Sequence, residues 1–266
     1  MVDKSEKFSW LVRIGYAARG VVYILLGYLA LSTAGKAGDG QAAVFDMIQD
    51  APMGEVILYL VALGLLAYAV FKAIDAASNI ESHSDDASGK GKRVGAAASA
   101  IAHLVLAYTA YQFAAGEKQQ SAGEGGSGQE VAGSLLTWDM GPVLLGLVGL
   151  GFLVAAAVQA KNAYTGNFMK HVSGSAPRYV EPIGRAGHAS RAVVFALIGW
   201  SLIKGAWFSR SGEIKGLGEA LVALSDNGVI YPLVALGLIL FGVFSLIIAR
   251  YRIIPDIRKD NLKPRL

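Results

Sequence analysis

Six blocks of about twenty consecutive apolar residues, separated by short polar stretches, leave this chain very few ways to fold. They cover 14–32, 54–74, 94–115, 141–160, 186–208 and 229–249. At about 1.5 Å of rise per residue, twenty helical residues cross the roughly 30 Å of bilayer hydrocarbon. No water is available there to satisfy backbone amides, so each block is expected to be a helix. The 266 residues are 54% hydrophobic and 17% charged, against about 25% charged in soluble domains. A soluble reading is thereby excluded, and an all-α membrane protein of six transmembrane helices is predicted. The first block contains Arg19 and is not followed by an Ala-x-Ala site, so it reads as a retained helix and not a cleaved signal. With no cysteine in the chain, disulfides, thiolate metal sites and cysteine nucleophiles are excluded.

Charge is distributed by side. Of the 24 Lys and Arg residues, 19 lie before helix one, between helices two and three, between four and five, and after six, or just inside the adjoining spans. The remaining five lie on the other connections, whereas the 20 acidic residues divide 9 to 11. The positive-inside rule then predicts that both termini are cytoplasmic. The same bias accounts for the pI near 9.2, and nucleic acid is not an expected partner.

The chain repeats itself. Residues 13–31, 93–111 and 185–203 read RIGYAARGVVYILLGYLAL, RVGAAASAIAHLVLAYTAY and RAGHASRAVVFALIGWSLI. Arg13, Arg93 and Arg185 coincide, as do Gly15, Gly95 and Gly187. The second helices align on LGLLAYAVFKAID, LGFLVAAAVQAKN and LGLILFGVFSLII, with Gly64, Gly151 and Gly237 in register. Before each second helix lies an amphipathic stretch, AAVFDMIQD, EVAGSLLTWDM and LGEALVALSDN. These predict short interfacial helices on the outer face. Each repeat has two spans, so all three insert the same way round. One integral membrane domain over 1–266 is expected, with repeats at about 8–77, 90–165 and 182–252 and a basic tail at 253–266. A pseudo-threefold bundle is the simplest closed arrangement of these three parallel two-helix repeats, with an open row of hairpins as the alternative.

This pattern resembles the bacterial membrane proteins of domain-of-unknown-function family twelve-oh-six, described as three copies of a two-helix unit. The resemblance rests on the start Arg13, Gly15, Tyr16, Arg19, Gly20, its echo at Arg185, Gly187 and Arg191, and the exit Ala249-Arg250-Tyr251-Arg252. Repeat two departs most, with Ser99 in place of arginine. The resemblance implies a multi-pass protein of the bacterial cytoplasmic membrane and carries no activity with it.

Polar positions where the repeats differ are the places to look for a site. Gly15, Arg19, Tyr23 and Gly27 form one helix flank, matched by Gly95, Ser99, His103, Ala107 and by Gly187, Arg191, Phe195, Gly199. Arg19, Tyr23, Ser99, His103 and Arg191 thus form the candidate intramembrane polar site. His103 would bind a substrate or relay a proton, or else sit neutral against Tyr, Ser or backbone oxygen. Arg19 and Arg191 would hold an anion or a lipid phosphate, or else snorkel or bond to helix ends. Lys72 and Asp75 read as a local i, i+3 pair. His83, His171 and His188 fall in or beside the basic connections. There is no Gly-x-Ser-x-Gly, phosphate loop or His-Glu-x-x-His. No catalytic residue, metal ligand set or cofactor is therefore expected, and the chain is not expected to be an enzyme. The functional expectation is a structural, accessory or lipid- and partner-binding membrane protein. Its expected partners are membrane lipids, anionic ones included, a second copy, or a membrane-complex subunit. The alternative is a small transporter or channel with a polar path near the repeat axis.

Overall fold

The computed structural model describes residues 4–32, 41–117, 133–215, 217–225 and 228–254. Among them, six helices are long and apolar enough to cross a membrane. These are α1 (Lys4–Ser32), α3 (Gly54–Ser78), α4 (Ala87–Ala114), α5 (Gly141–Thr165), α6 (Val180–Phe208) and α8 (Ile230–Tyr251). Their 22 to 29 residues make rods of about 33 to 44 Å. Two shorter helices, α2 (Gln41–Gln49) and α7 (Leu217–Val222), precede α3 and α8, and a helical turn at 133–136 precedes α5. The predicted amphipathic stretches are therefore helical over 42–49, 133–136 and 217–222 and continue as turns at 137–140 and 223–225, while 130–132 and 226–227 lie outside the described residues. The start of α1 and the exit of α8 lie on one side, with the connections 79–86 and 166–179; this is called the basic face below.

In repeats one and three the predicted amphipathic helices turn apolar residues into the bundle, whereas Trp138 and Met140 of repeat two are exposed. Val44, Phe45 and Ile48 of α2 are buried against α1, α3 and α4, and the Phe45 ring stands 6.0 Å from that of Phe113. Ala220 and Leu221 of α7 are buried likewise. Equivalent residues also turn the chain at the basic face. Asn79 after α3 and Gly166 after α5 occupy the same repeat position and both adopt left-handed backbone, φ 50° and 66°. That conformation ends a helix and suits Gly and Asn.

The helices pack across repeats more tightly than within them. The three closest pairs are α3 with α4, α5 with α6, and α8 with α1. The first helix of each repeat thus lies on the second helix of the repeat before it, and α1 closes the cycle on α8. Small residues make these seams. A Cβ on Gly20 would lie 2.8 Å from the Gly242 carbonyl oxygen, and one on Gly242 2.6 Å from that of Gly20. Gly149 and Gly199 face each other in the same way across α5 and α6. Helices this close owe their association to van der Waals contact between backbones.

The repeated arginines brace the same seams. Arg13 donates to the carbonyls of Ala249 (2.8 Å) and Arg250 at the end of α8. Arg93 donates to Ala76 (2.9 Å) and Ala77 (3.2 Å) at the end of α3. Arg185 donates to Ala163 (3.1 Å) and Tyr164 at the end of α5. Each guanidinium satisfies carbonyls that have no partner within their own helix, and sits at the negative pole of its dipole. A charged hydrogen bond is worth about 1.5–3 kcal/mol. Arg93→Ala is accordingly expected to lower the melting temperature in detergent by roughly 5 °C, with Lys at that position recovering part of the loss.

Threefold order holds around the bundle, but the ring is open. Within repeat one α1 packs on α3, and within repeat three α6 packs on α8, whereas α4 and α5 of repeat two form no such interface. The cause is in the side chains. A Cβ on Gly15 would meet the Tyr68 Cα at 2.8 Å, and one on Gly187 the Phe241 Cα at 2.6 Å. Ala155 stands where these aromatics stand, and Ala96 replaces Tyr16 and His188. Ser99 replaces Arg19 and Arg191, and Val158 replaces Phe71 and Phe244. Gly95 and Gly151 consequently face open space.

Candidate functional site

The candidate polar residues converge on a layer of aromatic rings inside the bundle. Arg19 lies six residues beyond Arg13 on α1, and Arg191 six beyond Arg185 on α6, so each is about 9 Å deeper than the arginine that caps a neighbouring helix. Arg19 is buried. It donates to the Tyr68 hydroxyl at 2.6 Å and to Ser245 Oγ at 3.0 Å, and Ser245 donates onward to the Phe241 carbonyl. Its guanidinium carbon stands 4.6 Å from the Tyr16 ring centre, 4.8 Å from Tyr68 and 5.0 Å from Phe241. Arg191 lies 4.4 Å from Phe241, 4.6 Å from Phe195 and 5.4 Å from Tyr23. Desolvated cation–π contacts of this kind contribute about 2 kcal/mol.

Both guanidinium groups lie within 5.0 Å of the Phe241 centroid, so they are less than ~10 Å apart. At an effective dielectric constant of about 20, two such charges repel by roughly 2 kcal/mol. Among the described residues, no carboxylate forms an ion pair with either. The Nε atoms of both are buried without a hydrogen-bond partner. The site is thus cationic, partly satisfied by rings and hydroxyls, and short of a counter-charge.

Of the sequence candidates, Arg19, Tyr23 and Arg191 gather around Phe241, with the Tyr23 ring 4.9 Å from it. His103 joins through Tyr68, their ring centres 4.5 Å apart. Its Nδ1 is 2.8 Å from the Ser99 carbonyl oxygen, so that nitrogen carries a proton and the backbone accepts it. Neither arginine is engaged with a helix end. Sequence reasoning left Tyr68 and Phe241 out, although their matched positions against Ala155 carried a signal. It also grouped His188 with the basic connections. His188 instead lies inside α6, buried, with Nδ1 2.5 Å from Gln159 Oε1 and its ring stacked 4.8 Å from Phe168. Its place in the repeat, that of Tyr16, was the available clue.

A second cluster laces the basic face. Lys72 Nζ is 3.7 Å from Asp75 and 3.5 Å from Glu81. His83 Nε2 is 3.5 Å from Asp75, and Arg252 pairs with Glu81. The exit of α8 also runs antiparallel to the segment after α5: Ser173 donates to the Tyr251 carbonyl and Ile253 to that of His171. Asp75, Glu81 and His83 present ligand atoms within 4.8 Å of one another. Lys72 and Arg252 already neutralise those carboxylates, so the arrangement reads as an ion-pair network that ties the end of α3 and the connection 79–86 to the exit of α8.

Burial holds His83 below the ordinary imidazole value of 6.5, with Asp75 pulling it partly back. His171 is also lowered, by burial and then by Lys72, His83 and Lys92. Below pH 6.5 the unfolded chain therefore takes up protons that the folded chain refuses, and stability falls as pH drops through that window. The melting temperature is expected to be lower at pH 5.5 than at 7.5, and a His83→Gln/His171→Gln double variant to show a flatter dependence.

A family model described as Domain of Unknown Function (DUF1206) matches the chain three times, at 14–79, 94–166 and 186–252. The Bacillus subtilis (strain 168) protein named uncharacterized protein YxxB is 32% identical over 264 residues, covering 94% of each chain. No solved structure matches this chain.

Proposed function

We propose, for a chain that belongs to the DUF1206 family, that it is an accessory, non-enzymatic protein of the bacterial cytoplasmic membrane, with both termini inside, that holds an anion in its interior at Arg19 and Arg191. One observation carries this reading: two guanidinium groups share the Phe241 ring, and no described carboxylate pairs with them. Ionisable groups at bilayer depth are costly, and those that persist pair with something or serve a ligand. Arginine suits phosphate and carboxylate because its fork donates two parallel hydrogen bonds.

The protein reconstituted in nanodiscs would be titrated with inorganic phosphate. A ligand present at about a hundred times its dissociation constant stabilises by about 2.7 kcal/mol, which is expected to raise the melting temperature by several degrees. An Arg19→Gln/Arg191→Gln variant should show no rise. An equal rise in that variant would remove the site from consideration. Transport of the same anion is a second reading, favoured by the partial exposure of His103 and Arg191; flux of phosphate into proteoliposomes separates it from static binding. Reporter fusions at the two termini test the orientation.

A further inference from the structure

The open joint of repeat two leads toward the cationic layer. In repeats one and three, the faces of the first and second helices that meet carry Gly15 against Tyr68 and Gly187 against Phe241. The same faces in repeat two belong to Gly95 and Ala98 on α4 and to Val148, Gly151 and Val158 on α5, all exposed. Four large side chains of the other repeats are Ala96, Ser99, Ala155 and Val158 here. The gap is thus written into the sequence, and its walls are apolar and small. It lies between two membrane-spanning helices, so it opens sideways toward lipid. At its inner edge are Ser99 and His103, and then the Tyr68 ring, 4.5 Å from that of His103. The Arg19 guanidinium follows, 2.6 Å from the Tyr68 hydroxyl. Arg19 is more than nine-tenths buried, and its Nε has no partner.

An apolar cleft that runs from the bilayer to an uncompensated pair of cations is complementary to a molecule with one apolar chain and an anionic head. We propose that the gap between α4 and α5 admits a single-chain anionic amphiphile from the bilayer, its head at Arg19 and Arg191 and its chain along Gly95, Ala98, Gly151 and Val158. This rests on the anion-binding reading above and names the class of anion and its route. A phosphate or carboxylate head satisfies both guanidinium groups, and a chain in the cleft replaces the ring contacts that repeat two lacks. A second alkyl chain has no counterpart cleft, because the other two intra-repeat joints are closed by Tyr68 and Phe241.

The test measures equilibrium binding of radiolabelled dodecyl phosphate and of inorganic phosphate to the full chain in a neutral maltoside detergent. Wild type should hold dodecyl phosphate at least tenfold more tightly than inorganic phosphate. Gly95→Phe/Gly151→Phe fills open space, so it should keep the wild-type melting temperature and lose amphiphile binding tenfold or more. The single change Gly151→Leu repeats the test from one wall, should the double variant fold poorly. Arg19→Gln/Arg191→Gln should lose both ligands. Undiminished dodecyl phosphate binding in a folded gap-filled variant overturns the route and the chain seat, while phosphate binding lost only with the arginines leaves the anion site standing. Failure of wild type to bind either ligand overturns both readings. Loss of a dimer on filling the gap, with amphiphile binding unchanged, assigns the cleft to a second copy instead.

Discussion

Gly187→Leu is expected to lower the melting temperature in detergent by roughly 10 °C, and Gly95→Leu, the same change at the same repeat position, by no more than about 1 °C. A Cβ on Gly187 would sit 2.6 Å from the Phe241 Cα, with the Phe241 backbone nitrogen at 2.8 Å. Neither is the far end of a flexible side chain, so α6 and α8 must move apart. Overpacking costs about 1–3 kcal/mol where side chains adjust, and more where backbones must. In a chain of this size each kcal/mol is worth about 2–4 °C. Separating α6 from α8 also disturbs the contacts of Arg191 and His188 with Phe241. Gly95 meets nothing within 4 Å, so leucine there adds apolar surface facing lipid. Thermal unfolding of both variants, followed by tryptophan fluorescence, decides the matter. Equal losses at the two positions would mean that repeat two is closed as the others are.

Arg252→Ala should cost about 3 kcal/mol or more. Arg252 and Glu81 side chains are each only 9% exposed, and Asp75 is fully buried. Removing one member of a buried pair leaves its partner charged and dry, which is far costlier than the pair was favourable. Lys72 then faces both Asp75 and Glu81 with only His83 beside it. The guanidinium also lies 4.9 Å from the Tyr16 ring, so its loss unpacks the base of α1. The double variant Arg252→Ala/Glu81→Gln removes the orphaned charge and should recover more than half of the loss. If it recovers nothing, packing on Tyr16 outweighs the ion pair.

The six spans and the two-helix repeat were legible because hydropathy and self-similarity are local properties of the chain. The seams were not. Gly20 and Gly242 are both visible as helix glycines, but no periodicity says that they face each other from opposite ends of the sequence. The same holds for Arg13, Arg93 and Arg185, whose alignment was plain and whose acceptors, carbonyls of the preceding repeat, were not. Lys72 and Asp75 read as a local pair because the third and fourth members, Glu81 and Arg252, come from separate connections. At the candidate site, the arginines and His103 stood out as breaks in symmetry. Tyr68 and Phe241 did not, since an aromatic residue in an apolar span carries no mark of what it touches. The open joint was latent in Ala96, Ser99, Ala155 and Val158, and comparison between repeats could have exposed it.

The contact between α1 and α8 makes a packed seam out of the first and last helices of the chain, so the break in the ring and the break in the chain fall in different places. During synthesis the first helix waits for the last: until α8 emerges, Arg13 has no carbonyls to cap and Gly20 no backbone to meet. The joint that does not pack, between α4 and α5, lies in the middle of the sequence instead. A circular permutant that begins at residue 133, links the present ends across the basic face and finishes at residue 117 would keep every packed seam. It would also make α1 and α8 consecutive, so that the seam now formed last would be formed within one hairpin.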